Sequence, residues 1–181
     1  MSRNPVPLSF PLSHGVAADT FATAIMDLGN QIGKRIGFFA GGRYALIGRW
    51  VAYLLRGRLS HETILQTPPV RHESLLGLVA HYGIGATLGV TYLLLRPRNS
   101  AFASAVLFGV LTNVLPWFIM YPCFGFGILG RKGPPQAQLL RTSFFNHASF
   151  GVGLGAWITT LAPRISYVAA KLHNQQYDPA G

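Results

Sequence analysis

The sequence predicts an all-α membrane protein built as a bundle of four transmembrane helices. Half of its 181 residues are hydrophobic and only 11% are charged, against roughly a quarter charged in ordinary soluble domains. Residues 74–95 and 100–121 form two uncharged stretches, and crossing about 30 Å of hydrocarbon takes on the order of 20 helical residues. The 21 glycines agree with this class, because membrane helices tolerate glycine better than soluble ones.

Two further stretches complete the predicted bundle. Residues 142–161 lie between Arg141 and Pro163, and residues 14–33 carry Asp19 and Asp27. Carboxylates inside a membrane usually face the bundle interior, so we count 14–33 as a span, with an interfacial or re-entrant segment as the alternative. The sequence therefore predicts one membrane domain, 14–163, flanked by extramembrane segments 1–13 and 164–181.

A long connection, residues 34–72, follows the first predicted span. Its apolar part, 38–55, is long enough for a fifth span, but Arg43 and Arg49 would then lie in lipid. An amphipathic helix at the membrane surface is the expected alternative. This connection and the next large one, 121–141, hold ten of the 15 Lys and Arg residues, which predicts that both are cytoplasmic and that both termini lie outside the cytoplasm.

The two histidines within the predicted spans have matching surroundings. Gly85 and Gly89 follow His81, and Gly151 and Gly155 follow His147, at the same spacing of four and eight residues. Residues at this spacing share one helix face. The other two spans have similar stripes of small or polar residues, 15/19/23/27 and 101/105/109/113, the second of which includes Gly109. We expect these stripes to pack helices closely, in two parallel helical-hairpin repeats.

Four polar side chains are predicted at one depth: Asp27, His81, Asn113 and His147. Each lies six to eight residues from the same end of its span, or roughly 9–12 Å at about 1.5 Å per residue. Such a layer has three interpretations. It is structural, with hydrogen bonds between helices; it is a substrate or proton site; or the two histidines ligate a haem iron or another metal.

The function classes follow from this layer and from the distribution of charge. No catalytic motif is visible, and the basic residues are spread between apolar stretches, which argues against nucleic-acid binding despite a net charge of +10. The lipid bilayer and a second copy of the chain are the expected partners. A small oligomeric transporter or proton-coupled permease without a cofactor is the first hypothesis. The alternatives are an accessory subunit that docks through 34–72 and a bis-histidine haem or metal protein.

Several short motifs resemble an uncharacterised bacterial family of integral membrane proteins, known only as a domain of unknown function. The motifs are Gly48-Arg49-Trp50, Arg56-Gly57-Arg58 with His61, Glu73, His81-Tyr82-Gly83-Ile84-Gly85 and His147-x-x-x-Gly151-x-Gly153. The resemblance covers about residues 15–160. It implies a multi-pass protein of the bacterial inner membrane and supplies no chemistry. Arg49, Trp50, Arg56, Arg58, His61 and Glu73 are expected to face lipid headgroups or a partner.

Overall fold

The computed structural model describes residues 9–38, 43–95 and 102–163, and in those ranges the chain is helical with no strand. The predicted all-α class is therefore confirmed for the described residues. Parts of other predictions lie outside these ranges: residues 1–8 of the N-terminal segment, the start of the third span with Ala101, and the tail 164–181.

The principal helices follow the predicted order along the chain. They are α1 (Ser9–Arg35), α2 (Tyr44–Leu54), α3 (Glu73–Leu95), α4 (Phe102–Leu111), α5 (Tyr121–Cys123) and α6 (Gln136–Ala156). A π-helical turn, Pro116–Met120, begins where proline lacks an N–H for the regular ladder, and a second, Trp157–Leu161, extends α6. The helical stretches Glu73–Leu95 and Phe102–Cys123 are long and apolar enough to cross a membrane.

The ends of two helices differ from the predicted spans. Helix α1 exceeds the predicted 14–33 at both ends, and α6 begins six residues before the predicted position 142. Arg141 lies within α6, and its guanidinium lies over the ring of Phe38, 4.9 Å from the centroid. Pro135 lies immediately before the first turn of α6. The residue before a proline disfavours the helical conformation, so α6 does not extend further toward the N-terminus.

Helix α2 differs from the predicted surface helix. It covers 11 residues instead of 38–55, and it packs along the first half of α3. A Cβ atom on Gly48 would overlap the backbone of Glu73 and Gly77, and one on Gly77 would overlap the backbone of Tyr44. Two facing glycines therefore bring the backbones of α2 and α3 into direct contact, which a helix lying apart at the surface would not need.

The helices form two antiparallel pairs, α1 with α3 and α4 with α6. The two pairs meet along α1 and α6. Buried Ala22, Met26, Tyr92, Phe150 and Leu154 belong to the core that these helices share. A second core lies at one end of the molecule, where Ile64 packs against Tyr121, Phe124 and Phe126 together with residues of α2. The first core holds the helix pairs together, and the second fixes the connection 55–72 across their end.

Candidate functional site

Helices α1 and α3 touch through the first of the small-residue stripes. A Cβ on Gly89 would lie 2.6 Å from the Cβ of Asp19, and a Cβ on Gly85 would lie 2.7 Å from Thr23 Oγ1. Farther along, a Cβ on Gly15 would lie 2.7 Å from the side chain of Val90. Glycine is thus needed at this interface because the facing side chains fill the space that a methyl group would take.

Helices α4 and α6 repeat this arrangement at backbone distance. A Cβ on Gly109 would lie 2.6 Å from the Cα of Gly151, and a Cβ on Gly155 would lie 2.8 Å from the ring of Phe102. The two pairs are joined by a contact that the predicted packing set omitted: a Cβ on Gly153 would lie 2.7 Å from the Cα of Ala22 in α1. Gly153 could have been found, since it lies in the same glycine-rich motif.

Asp27 of α1 accepts three side-chain hydrogen bonds from neighbouring helices. Its Oδ1 accepts hydrogen bonds from the Tyr44 hydroxyl at 2.5 Å and from His81 Nε2 at 3.2 Å, and its Oδ2 accepts one from the Tyr82 hydroxyl at 3.0 Å. Three donors from α2 and α3 therefore surround one carboxylate of α1. Tyr82 adjoins His81 in the sequence, whereas no local pattern points to Tyr44.

His147 binds a residue that the predicted layer did not include. Its Nδ1 lies 2.7 Å from Thr112 Oγ1, and that hydroxyl donates to the carbonyl oxygen of Gly109 at 2.5 Å. Since a hydroxyl carries one hydrogen, Nδ1 of His147 is the donor to Thr112. A neutral His147 then carries an acceptor lone pair on Nε2.

Asn113 is turned away from the two histidines. It is buried, its Oδ1 accepts from the Ser143 hydroxyl at 2.7 Å, and its Nδ2 donates to the carbonyl oxygen of Val110 at 2.8 Å. The predicted layer is therefore not one connected network. Asp27 and His81 bind each other across α1 and α3, while His147 and Asn113 each bind a hydroxyl across the contact of α4 with α6.

A cavity of about 660 Å³ lies between the helix pairs, within the usual size range of small-molecule sites. Its polar lining includes Asp27, His81 and His147 but not Asn113; the lining also includes Tyr44, Thr142, Ser143 and Asn146. Apolar side chains such as Ile84, Leu88, Ile119 and Phe150 form much of the wall. The buried Oδ1 of Asn146 has no hydrogen-bond partner among the described residues.

One end of the cavity is covered by α2 and the connection 55–72, which we call the cap. Arg49 binds both carboxylate oxygens of Glu73, at 2.9 and 2.8 Å, and donates to the carbonyl oxygens of Ile64 and Thr67 at 3.0 and 2.9 Å. Glu73 also accepts the backbone N–H of Val70 at 3.1 Å. These bonds tie α2, the connection and the first turn of α3 together.

The cap is bonded to the other helix pair as well. The backbone N–H groups of His61 and Ile64 donate to the carbonyl oxygens of Cys123 and Phe124, both at 2.9 Å. Gly125 has a positive φ of 80°, and a Cβ there would overlap the backbone of Glu62. Glycine at position 125 therefore allows the close contact between the cap and this turn.

This arrangement differs from the expected surface role of the cap residues. Arg49 and Glu73 are only 12% and 15% exposed and bind each other, and Trp50 Nε1 donates to the carbonyl oxygen of Leu59 at 2.8 Å. His61 is buried and binds Thr67 through Nδ1 at 3.0 Å. These four residues hold the cap instead of facing headgroups. The exposed basic pair is Arg56 and Arg58, which flank the ring of Tyr53 at 5.5 and 5.8 Å.

Most of the features described above lie within the region that one protein-family model matches. A family model described as "Protein of unknown function (DUF2938)" matches residues 16–162. The chain belongs to this family. The DUF2938 match covers most of α1, all of α3 and α6, the cap and the cavity, and the resemblance predicted from the motifs is confirmed. No curated protein and no solved structure matches the chain.

Proposed function

We propose that the chain is a four-span membrane permease that couples the movement of a small substrate to protons. The two apolar helices support a membrane location, because only 17% and 28% of their most apolar windows are buried inside the protein. Leu75, Val79 and Leu94 of α3, and Leu107 and Leu111 of α4, are 59–64% exposed. Lipid is the solvent in which such a surface is stable.

Helices α1 and α6 supply the other two proposed spans. Their ionisable residues near mid-span turn inward: Asp19 is fully buried, Asp27 is surrounded by donors, and His147 lines the cavity. Their outer faces carry exposed apolar side chains, among them Leu28 in α1 and Phe144 and Val152 in α6. Ionisable groups facing the interior and apolar groups facing outward are what a span in hydrocarbon requires.

The observation that carries the permease proposal is the Asp27–His81 pair in the cavity wall. A proton added to Asp27 removes the negative charge that three donors share, so the pair must rearrange. A ligand in the cavity meets the same side chains, together with His147. Protonation and ligand binding therefore act on shared groups, and each changes the affinity for the other.

The lining also indicates the substrate class. Neutral His147 has an acceptor on Nε2, and much of the wall is apolar. A small, partly apolar molecule that donates hydrogen bonds fits this cavity best. The alternative of an accessory subunit gains no support from the segment that suggested it, because residues of 34–72 bind α3 and Tyr121–Cys123 within the same chain.

Proton flux tests the proposal directly. The full chain is reconstituted into liposomes that contain a trapped pH-sensitive dye, and a pH gradient is imposed. We expect internal acidification well above that of empty liposomes, and its loss in Asp27→Asn and His81→Asn. Glu62→Gln and His72→Asn are matched controls, because both side chains are exposed and lie outside the cavity.

Two outcomes would overturn the proposal. One is flux equal to that of empty liposomes for the wild-type chain. The other is flux that both cavity variants retain at the level of their matched controls. Equal reconstitution of all variants is checked by the amount of protein in the liposomes and by helical circular dichroism.

A further inference from the structure

Asp19 is a second carboxyl group between α1 and α3, in surroundings unlike those of Asp27. None of its surface is exposed. A Cβ on Gly85 would lie 2.8 Å from both carboxylate oxygens of Asp19, and a Cβ on Gly89 would lie 2.6 Å from the Cβ of Asp19. The carboxyl group therefore lies in a notch that the two glycines of α3 leave open.

The notch provides almost no hydrogen bonds. Asp19 Oδ1 has no partner, and Oδ2 has only a long contact of 3.4 Å with Thr23 Oγ1. Within residues 9–38, 43–95 and 102–163, the ion pairs are Arg49–Glu73 and Asp27–His81, and neither includes Asp19. No lysine or arginine of the described residues binds it.

The titratable groups facing this contact are few. On α3, His81 and Tyr82 lie within electrostatic range of Asp19, and both bind Asp27, which lies two helical turns farther along α1. On α6, which packs against α1, the titratable residue in the interior is His147, and it binds Thr112. None of them forms a hydrogen bond with the Asp19 carboxyl group.

An ionised carboxylate without donors or a paired cation is very costly in a site closed to water. A neutral carboxyl group avoids most of that cost. Asp27 and Asp19 thus lie on one helix face in contrasting environments, one with three donors and the other with a single weak contact. Pairs of this kind separate into an ionised and a neutral member.

We propose that Asp19 is a proton-binding site, occupied by a proton whenever α1 and α3 are in contact at Gly85 and Gly89. Ionisation breaks the carboxyl O–H bond and passes the proton to water, which enters only when the two helices separate at this level. Asp19 is then the site of the coupled proton, and that role rests on the proposed permease function. Occupation by a proton in the closed form does not depend on transport.

Infrared spectroscopy tests this site on the full reconstituted chain. A protonated carboxyl group gives a carbonyl stretching band separate from those of carboxylates and amides, and the chain contains only five Asp and Glu residues. We expect such a band at neutral pH in the wild type. It should disappear in Asp19→Asn and remain in Asp27→Asn and Glu62→Gln.

A second variant keeps the test decisive if Asp19→Asn does not fold. Thr23→Ala removes the one neighbouring hydroxyl, so the band should move to higher frequency. The inference is overturned if the wild type has no protonated carboxyl band at neutral pH, or if the band is unchanged in Asp19→Asn or, where that variant does not fold, in Thr23→Ala. A band assigned to Asp19 in a protein without proton flux sinks the permease proposal alone, while flux without the band sinks this inference alone.

Discussion

Arg49 and Glu73 form a two-pronged ion pair, with Nε 2.9 Å from Oε2 and Nη2 2.8 Å from Oε1. The pair joins the middle of α2 to the first turn of α3, across 24 residues of sequence. A carboxylate in the first turn of a helix is already favoured by the helix dipole, so Glu73 stabilises α3 and positions Arg49 at once. The Nη1 group of Arg49 then donates to two carbonyl oxygens of the cap.

Arg49→Ala should loosen the cap. Removing one partner of a buried ion pair costs about 3–5 kcal/mol, and we expect about 2 kcal/mol here because both side chains are partly exposed. Thermal unfolding in mild detergent would show a lower Tm, and residues 55–72 would become sensitive to protease. Arg56→Ala is the matched control, since that side chain is exposed beside Tyr53. Equal Tm values for both variants would contradict the assigned role.

Gly109→Ala should destabilise the contact between α4 and α6, because the added Cβ would lie 2.6 Å from the Cα of Gly151. Overpacking of this kind costs about 1–3 kcal/mol. Gly83→Ala is the matched control on α3, where a Cβ meets no atom within 4 Å. Its stability should be unchanged or slightly raised. The comparison is made by thermal unfolding, and a loss in Gly83→Ala as large as in Gly109→Ala would count against the packing assignment.

We expect the folded chain to become less stable as the pH is lowered, because of His61 in the cap. Burial lowers the pKa of His61, and the cations Arg58 and Arg49 lower it further. The unfolded chain, with a pKa of about 6.5, then binds more protons than the folded one below that pH. The contribution is complete above the unfolded pKa and is lost as pH falls below it.

This pH dependence is measured as the change in Tm between about pH 7.5 and pH 5.5. We expect a smaller change in His61→Gln, which does not titrate in that range and can still bond to Thr67. His72→Asn, at an exposed position, should behave like the wild type. An identical change in Tm in the wild type and in His61→Gln would remove His61 from the explanation.

Cysteine labelling tests the proposed orientation. In a Cys123→Ala background, Arg58→Cys should react with a membrane-impermeant maleimide only after the membrane is broken, because the basic connections are proposed to be cytoplasmic. Thr87→Cys, on the exposed face of α3, should stay unlabelled in both conditions because the proposed span places it in lipid. Rapid labelling of Thr87→Cys in intact cells would argue against a span at α3.

The sequence indicated some of these contacts and concealed others for physical reasons. The glycine stripes are local patterns with a period near one helical turn, so facing pairs such as Gly109 and Gly151 lay among the residues singled out. The partners of His147 and Asn113 depend on how α4 and α6 are aligned, and neither Thr112 nor Ser143 stands out in a periodic pattern. The contact of Gly48 with Gly77 places α2 against α3, and nothing local to either glycine predicts it.

The cap belongs covalently to the first helix pair and is hydrogen-bonded to the second through His61–Cys123 and Ile64–Phe124. These two backbone hydrogen bonds therefore connect the two helix pairs, which otherwise meet along α1 and α6. If one helix pair rotated against the other about the tight contact of Gly153 with Ala22, these two hydrogen bonds would lengthen first. At this end of the molecule, the two helix pairs are therefore held together by His61 and Ile64, which belong to none of the four proposed spans.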